Sequence, residues 1–526
     1  MKLQAPKLPL PILLGAVGLT LITVMMLLVS DGNLVVALVP TILIGVVWYM
    51  TVKPISHSLI VLFGVCLLMH NPGMRPHDGK WDGPLQPVGR LLYDNLRNIV
   101  GLDALRFNAI EAVLFFLALL VLLRWLVGSR IDNPEGTSAA KPLKLAMVLC
   151  LVTLFTWIVW GVARGGNSQQ MLWQTRQIMW APLMSAMFIH AFRTPKWHRA
   201  LGFIVIGVAL IRCLDGIYFF YAMVKPRALF VEYSITHEDS ILLITTVVML
   251  GAMVLERPTK RMIMTVMCIF PVIAVGLVVN HRRLAYVSLA MSLAAIFLVM
   301  NVNLRKRIVR WMLIGAPILI MYVGAGIAAK GESIIFFPIR SLVSVADTKN
   351  ASNQTRDIEN YNLLYTFREA PILGLGFGHE YTEVSVAYDI SHAMPNYRYI
   401  AHNSVLWLLM LCGGVGFAGM WLYYVISIFL GARVYRITTD PDIAVAALTS
   451  VCVIICFVFQ AFGDMGMIGW MGVLLVSAAN CVVATSATRV GAWLNADTPV
   501  PKKVVEPPSD DDGDGDEPPL RAEQIA

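Results

Sequence analysis

Apolar residues occur in long runs along almost the whole chain, separated by mostly short polar connectors. A helix needs about 20 mostly apolar residues to cross a bilayer, and runs near that length recur throughout. The pattern therefore predicts an all-α, polytopic membrane protein with about 12–14 transmembrane helices. The fourteen candidate spans lie near residues 9–30, 34–51, 56–70, 107–127, 144–162, 171–192, 200–222, 239–255, 262–280, 284–301, 311–328, 402–430, 443–462 and 467–487. The third is short, and the sixth is polar for a span.

The spans divide the chain into four parts. Residues 1–328 contain the first eleven candidate spans, and residues 329–401 form a large polar loop in which we expect short helices. Residues 402–487 contain the last three spans. Residues 488–526 are rich in Pro and Asp and have too few apolar residues to fold, which predicts a disordered acidic tail.

Composition and charge agree with a membrane location. The chain is 57% hydrophobic and 14% charged, whereas soluble domains carry about 25% charged residues. The basic connectors "RTPKWHR", "ERPTKR", "NLRKRIVR" and "GARVYR" all fall on one side if the N-terminus is cytoplasmic. The C-terminus is then also cytoplasmic, and the loop 329–401 lies outside. The eight cysteines lie in apolar segments with no Cys/His cluster, so neither a disulfide framework nor a zinc site is indicated.

Several ionisable residues lie inside or at the ends of the spans, where charge is costly and usually paired or functional. Arg212 and Asp215 are three residues apart, which predicts an ion pair on one helix face. Glu111 and Arg176 lie near outer ends of their spans and could extend to the interface. Asp464 lies in a very short outer turn, where an aspartate that caps a turn or helix is the favoured interpretation.

Two adjacent arginines open the tenth span at the outer surface, in "VVNHRRLAYVSLAM". The N–H groups and dipole of a helix N-terminus favour anions. The planar guanidinium groups of Arg282 and Arg283 add bidentate recognition of phosphate. This helix end therefore suits a phosphate ligand, and the alternative is that both arginines only extend to the lipid interface.

The large outer loop contains a helical pattern over 357–369, which Pro371 ends, followed by the glycine-rich turn "GLGFG". No strand–turn–helix unit surrounds this turn, so a dinucleotide-binding fold is not indicated. Glycines at these positions let the backbone approach either a ligand or another helix closely.

His402 directly precedes the twelfth span, and Asn403 or Ser404 can cap that helix. A helix N-terminus disfavours imidazolium, so we expect His402 to stay largely neutral. A neutral imidazole accepts a proton and suits a general base. The alternative is a histidine at the water interface with no chemical role.

Over residues 270–430 the chain resembles the O-antigen ligase and O-antigen polymerase family. The resemblance rests on "NHRRLAY" at the outer start of a span, a late large outer loop, "PILGLGFG" and "HNSVLWLLMLCGGVG", in that order. It implies a helical membrane glycosyltransferase with a fold of the GT-C type. Its donor would be a glycan on undecaprenyl diphosphate, and its acceptor a glycan or a lipid.

The resemblance also implies site residues. An arginine at the outer start of a span matches Arg283, although Arg282 stands where the family often has Ser. The loop arginine matches Arg356, fifteen residues before the proline turn, and the loop histidine matches His402. The implied catalytic set is therefore His402, Arg283 and Arg356, and the implied substrate-binding set is Arg282, Asn403, Tyr361 and Arg368.

The expected chemistry is an inverting transfer with no metal and no cofactor. The two arginines would stabilise the diphosphate leaving group, and His402 would deprotonate the acceptor hydroxyl. We expect a protein of the bacterial cytoplasmic membrane that contacts membrane lipid. We expect other polysaccharide-assembly proteins as partners, and no nucleic acid. Polymerase and ligase remain open, and the alternative function is a transporter or flippase for lipid-linked oligosaccharide.

Overall fold

The computed structural model describes residues 10–29, 32, 34–69, 85–100, 106–129, 131–132, 136–227, 234–329, 334–345, 351–386 and 396–494. These residues form helices and connecting turns, without a β-strand. In chain order the α-helices are α1 (Leu10–Val29), α2 (Leu34–Val52), α3 (Ile55–Leu68), α4 (Gln86–Tyr93), α5 (Leu96–Val100), α6 (Ala109–Leu126), α7 (Lys141–Ala163), α8 (Ser168–Ala191), α9 (Pro195–Phe219), α10 (Asp239–Glu256), α11 (Lys260–Val279), α12 (Arg283–Val299), α13 (Val302–Ala328), α14 (Phe337–Val345), α15 (Ala351–Glu369), α16 (Ser404–Ile437), α17 (Pro441–Gly463) and α18 (Trp470–Arg489).

The all-α, polytopic prediction is confirmed. Each candidate span coincides with a helix, and eight described helices are long and apolar enough to cross a membrane: α6, α7, α9 with its π-helical extension, α10, α11, α16, α17 and α18. Helix α13 would be a ninth membrane-spanning helix if its two parts, which are bent by 43° relative to each other, form one span. Four further apolar helices are shorter, in α1, α2, α3 and α12. The four-part division stays a prediction, and most of the predicted acidic tail lies outside the described residues.

The last helix, α18, is the centre of the bundle. The apolar segment of this helix is completely buried inside the protein. The helix packs against α8, α16 and α17. Small residues such as Gly472, Ser477 and Ala484 line it and let neighbouring backbones approach closely. The packing around α18 therefore fixes the ends of the helices that carry the polar residues described below.

Two predictions about charges in the helices are corrected by the fold. Arg212 forms its bidentate ion pair with Asp239, which begins α10, rather than with Asp215 on its own helix. Glu111 and Arg176 bind each other through the Arg176 Nε and a Glu111 carboxylate oxygen at 2.8 Å instead of extending separately to the interface. In both cases the partner comes from another helix, since a buried charge is stabilised by whichever opposite charge the tertiary packing brings close.

The glycine-rich turn inserts into a break in α16. Gly413 has φ 60° and ψ −175°, which interrupts that helix. The carbonyl oxygen of Leu411 accepts a hydrogen bond from the Gly376 N–H at 2.8 Å, and the Gly414 N–H donates to the carbonyl of Pro371 at 2.9 Å. Backbone groups that the break would leave unpaired inside the bundle are therefore satisfied by the turn.

The glycines of this turn are required by their neighbours. Gly374, Gly376 and Gly378 have φ values of 66°, 88° and 92°, in the region that favours glycine. A Cβ on Gly376 would lie 2.4 Å from the Cα of Gly161 in α7. The close approach that the sequence predicted is thus to other helices, α7 and α16.

Gly376→Ala is expected to destabilise the protein by about 2–5 kcal/mol, since it adds a left-handed alanine and a backbone clash that no rotamer relieves. Thermal unfolding in detergent checks this. Gly251→Ala is the matched control, because a Cβ there meets nothing within 4 Å. Equal melting temperatures for the two variants would contradict the close packing of the turn.

Candidate active site

Several of the polar residues that the sequence singled out lie near the starts of α12 and α16, beside α15 and the C-terminal end of α17. Asn403 is the N-cap of α16, and its side-chain oxygen accepts the Leu406 N–H at 3.1 Å. The same side chain donates to Asn360 Oδ1 of α15 at 3.0 Å. The start of α16 is therefore tied directly to the loop helix, which positions the residue before the cap, His402.

His402 is held by a glutamate that sequence reasoning did not identify. Its backbone N–H donates to Glu359 Oε2 at 3.0 Å, and its Nδ1 lies 3.1 Å from the same oxygen. Because an ionised carboxylate can only accept, Nδ1 carries the proton of the neutral ring and Nε2 has the free lone pair. Nε2 has no hydrogen-bond partner within the described part of the chain, and the side chain is 36% exposed. The reactive nitrogen is therefore open to a ligand.

The pKa of His402 is shifted in the direction opposite to that expected from the helix N-terminus. The hydrogen bond that His402 Nδ1–H donates to Glu359 raises the pKa of His402 above its ordinary value, although burial and the charge of Arg356 act in the opposite direction. The prediction considered only the helix N-terminus, which favours the neutral ring. A carboxylate at hydrogen-bond distance is the stronger influence, and it favours the imidazolium.

A second ion pair links the start of α12 to the end of α17. Asp464, the C-cap residue of α17, accepts hydrogen bonds from Arg282 Nη2 at 2.8 Å and His237 Nδ1 at 3.0 Å. Burial alone would raise the pKa of Asp464, but the hydrogen bond and charge of His237 and the charge of Arg282 hold that pKa well below its usual range. Asp464 Oδ1 also accepts the Met465 N–H at 3.0 Å, which agrees with the turn role that the sequence favoured, and the ion pair with Arg282 is an additional role.

The two clusters are close neighbours. Ser404 Oγ donates to the Asp464 carbonyl at 3.4 Å, and the charge of Asp464 contributes to the raised pKa of His402. The segment before α10 joins them, since His237 binds Asp464 and Glu238 accepts the Met471 N–H of α18 at 2.9 Å. Burial raises the pKa of Glu238 to about 7. One continuous polar region therefore extends from His402 to the centre of the bundle.

The two predicted arginines of α12 have different environments. Arg282 is the N-cap residue, whereas Arg283 is the first helical residue and its Nη1 lies 3.5 Å from the Ser344 carbonyl of α14. The preceding His281 has φ 55°, an uncommon conformation for a non-glycine residue, and this turns the chain sharply between α11 and α12. Arg282 is therefore the arginine connected to the His402 region through Asp464, while Arg283 contacts the loop.

The remaining predicted residues all lie on α15. Arg356 is one turn before Glu359, so both face the same side, and its charge acts on His402. Tyr361 and Arg368 lie roughly 200° and 180° around the helix from Glu359 at about 100° per residue. The structure thus brings Arg356 to His402 but places Tyr361 and Arg368 on the far face of α15, and their substrate-binding roles stay predictions.

A large, mostly apolar cavity lies away from this region. It has a volume of about 660 Å³ and is lined by the N-terminal half of α17, from Asp442 to Val453, and by parts of α9, α10, α11 and α18. Asp464 lies at the other end of α17. This cavity therefore lies at the opposite end of α17 from the polar region around His402, and its lining is mostly apolar.

Residues 266–421 match a family model described as O-antigen ligase. This part of the chain, 156 of the 526 residues, is similar to that family. The match contains His402, Arg282, Arg283 and Arg356, and it confirms the resemblance seen in the sequence. No curated protein sequence matches the chain. Together with the membrane helices, the match supports a role in O-antigen ligation or polymerisation.

Proposed function

We propose that the protein is a membrane glycosyltransferase that moves a glycan from undecaprenyl diphosphate to an acceptor hydroxyl at the outer face of the bacterial cytoplasmic membrane. The observation that carries this proposal is the pairing of His402 Nδ1 with Glu359, which leaves Nε2 open beside the charge of Arg356. A base and a cation side by side suit a reaction that removes a proton from a nucleophile and releases an anionic leaving group.

Each group has a defined part in the transfer. The acceptor oxygen attacks the anomeric carbon while its proton moves to His402 Nε2, and the bond between that carbon and the diphosphate oxygen breaks with both electrons going to the diphosphate. Glu359 orients the ring and stabilises the imidazolium that forms. Arg356, together with Arg282 and Arg283 at the start of α12, provides positive charge for the leaving diphosphate. In-line displacement inverts the anomeric configuration.

The proposed orientation places this site outside the cell. The polar region lies at the start of α10, α12, α16 and α18 and at the end of α17. The basic connectors between α8 and α9, α10 and α11, and α16 and α17 lie at the opposite helix ends. Basic residues concentrate in cytoplasmic loops, which supports cytoplasmic N- and C-termini and an extracytoplasmic His402.

The test is a strain that lacks the gene and carries wild-type protein or a His402→Ala variant at matched membrane levels. Surface polysaccharide and extracted lipid-linked glycan are compared on gels. Loss of the surface product with accumulation of lipid-linked glycan supports transfer. Single repeats in place of a ladder indicate polymerisation, and long unattached glycan indicates ligation. Lipid-linked glycan retained on the cytoplasmic side would instead favour a flippase and contradict the proposal.

Glu359→Gln is expected to shift the pH dependence of transfer. Glutamine can still accept the Nδ1–H bond but has no charge, so the pKa of His402 falls. His402 then becomes neutral at lower pH, and the acid limb of kcat/KM moves to lower pH while the maximal rate decreases because the imidazolium loses its counter-charge. The measurement is the transfer rate between about pH 5 and 9. Glu369→Gln, on the exposed end of α15, is the control. An unmoved acid limb would contradict the role of Glu359.

A further inference from the structure

A small polar cavity of about 220 Å³ lies beside the chain segment that leads to His402. Asn95 and Arg106 line one side, the first turns of α8 line another, and Asn396 completes it. Neither the family match nor the predicted site includes the wall formed by α8 and the residues before α6.

The cavity is firmly connected to the proposed catalytic residue. Gln174 of α8 donates to the carbonyl oxygens of Tyr399 at 2.7 Å and His379 at 3.1 Å, and it accepts the Gly378 N–H. Asn396 is six positions before His402 in the chain, so their Cα atoms are at most about 22 Å apart. A glycan of a few sugar units could therefore contact both places.

The wall formed by α8 has the groups that bind sugars. Gln170 is 8% exposed, and its side chain makes no hydrogen bond to any other described residue. Its amide is therefore available to bond to a ligand in the cavity. An amide both donates and accepts, as adjacent sugar hydroxyls do. Trp173, one turn further along the same helix face, adds a flat apolar ring against which a sugar ring can lie.

The charged groups of the cavity are basic and one is fixed in place. Arg176 is held by Glu111, which also accepts hydrogen bonds from Trp180 Nε1 at 3.3 Å and the Asn108 N–H at 3.0 Å. The Arg176 side chain keeps 24% exposure. Among the described residues that line the cavity none is acidic, and Arg106 is exposed at its edge. Because Arg176 is already paired with Glu111 through Nε and Nη2, Arg106 is the cation available to a carboxylate, and the Nη1 group of Arg176 can add a donor.

We propose that this cavity is a subsite for one sugar residue of the glycan, with a preference for a sugar that carries a carboxylate. Gln170 and Trp173 bind the hydroxyls and the ring, and Arg106 binds the carboxylate, with the Nη1 group of Arg176 as an additional donor. The inference rests on the proposed glycan transfer, since it assigns part of the substrate to that site.

Binding of two probes to the purified full-length protein tests the subsite. Tetragalacturonate and maltotetraose are compared by ligand-observed NMR for wild type, Gln170→Leu, Arg106→Ala and the control Gln177→Leu, which lies on α8 outside the cavity. We expect tetragalacturonate to bind more tightly than maltotetraose. Gln170→Leu should weaken both about tenfold, a change of about 1.4 kcal/mol. Arg106→Ala should remove the preference, and Gln177→Leu should change neither.

The outcomes distinguish the subsite from the proposed function. Wild-type affinity in Gln170→Leu would overturn the subsite, and equal binding of the two probes would overturn the acidic-sugar assignment. His402→Ala should abolish transfer yet bind both probes as wild type does. If the protein transfers glycan normally but binds neither probe, only the subsite is contradicted. If the protein binds the probes through Gln170 but has no transfer activity, only the proposed function is contradicted.

Discussion

His402→Ala is expected to lower the rate of glycan transfer by roughly 10²–10⁴-fold, the range typical of a lost general base. The variant removes the nitrogen that takes the acceptor proton and leaves Glu359 without its partner. The substrate contacts of the arginines remain, so KM should change far less than kcat. The measurement is single-turnover transfer by purified protein from an undecaprenyl-diphosphate-linked glycan to its acceptor.

The control for this variant is His57→Ala. His57 packs against Trp197 with ring centroids 5.6 Å apart, away from the polar region, and has no part in the proposed reaction. Unfolding curves of both variants separate lost chemistry from lost structure. If a folded His402→Ala protein transfers glycan at the wild-type rate, His402 has no part in the mechanism. The proposal that His402 is the general base would then be contradicted.

Asp464→Ala is expected to destabilise the protein by about 3–5 kcal/mol, as breaking one side of a buried ion pair does. The Arg282 and Asp464 side chains are 10% and 14% exposed, so the largely buried guanidinium would lose the Asp464 carboxylate. The N-terminus of α12 and the segment before α10 would lose their shared anchor. Chemical unfolding in detergent gives the stability, and the transfer assay gives the effect on activity.

The same ion pair predicts a dependence of stability on pH. The pKa of Asp464 is lower in the folded than in the unfolded protein, where it is about 3.9. Its contribution is therefore fully present above that unfolded value and is lost as the pH falls through the lower folded pKa. The part of the stability gap between wild type and Asp464→Ala that comes from protonation of Asp464 should narrow only below about pH 4.

A matched control is available at the other end of α17. Asp442 pairs with Arg199 at 3.6 Å and Arg257 at 3.4 Å, but all three side chains are 40–63% exposed. Surface pairs of this kind contribute about 0–1 kcal/mol, so Asp442→Ala should change stability little. Equal losses for Asp464→Ala and Asp442→Ala would contradict the importance of the buried pair.

A double substitution separates the structural from the chemical role of Arg282. Arg282→Met with Asp464→Leu replaces the pair by apolar side chains and should recover most of the stability. If Arg282 contributes positive charge to the leaving diphosphate, transfer should stay low in this stable protein. Recovery of both stability and transfer would show that Arg282 acts only as an anchor.

How far the sequence could predict the site depends on the residue. His402 can be singled out locally because it directly precedes a span, whereas Arg356 is implied only by the family resemblance, through its place fifteen residues before Pro371. Glu359 was missed, since an acidic residue in a polar helical segment has many possible roles and lies 43 residues before the histidine it binds. Asp464 was noticed as a charge in a short outer turn, but its partners Arg282 and His237 are 182 and 227 residues away.

The sequence by itself determined the helices, because a span is a local property: about 20 apolar residues satisfy their own backbone groups in a bilayer. It also determined which helix ends carry histidine and arginine. Only the tertiary structure decided that Arg212 pairs with Asp239, that the glycine turn fills the break at Gly413, and that Glu359 raises the pKa of His402. Charges and broken backbones take partners from whichever elements pack against them, and no local pattern specifies those elements.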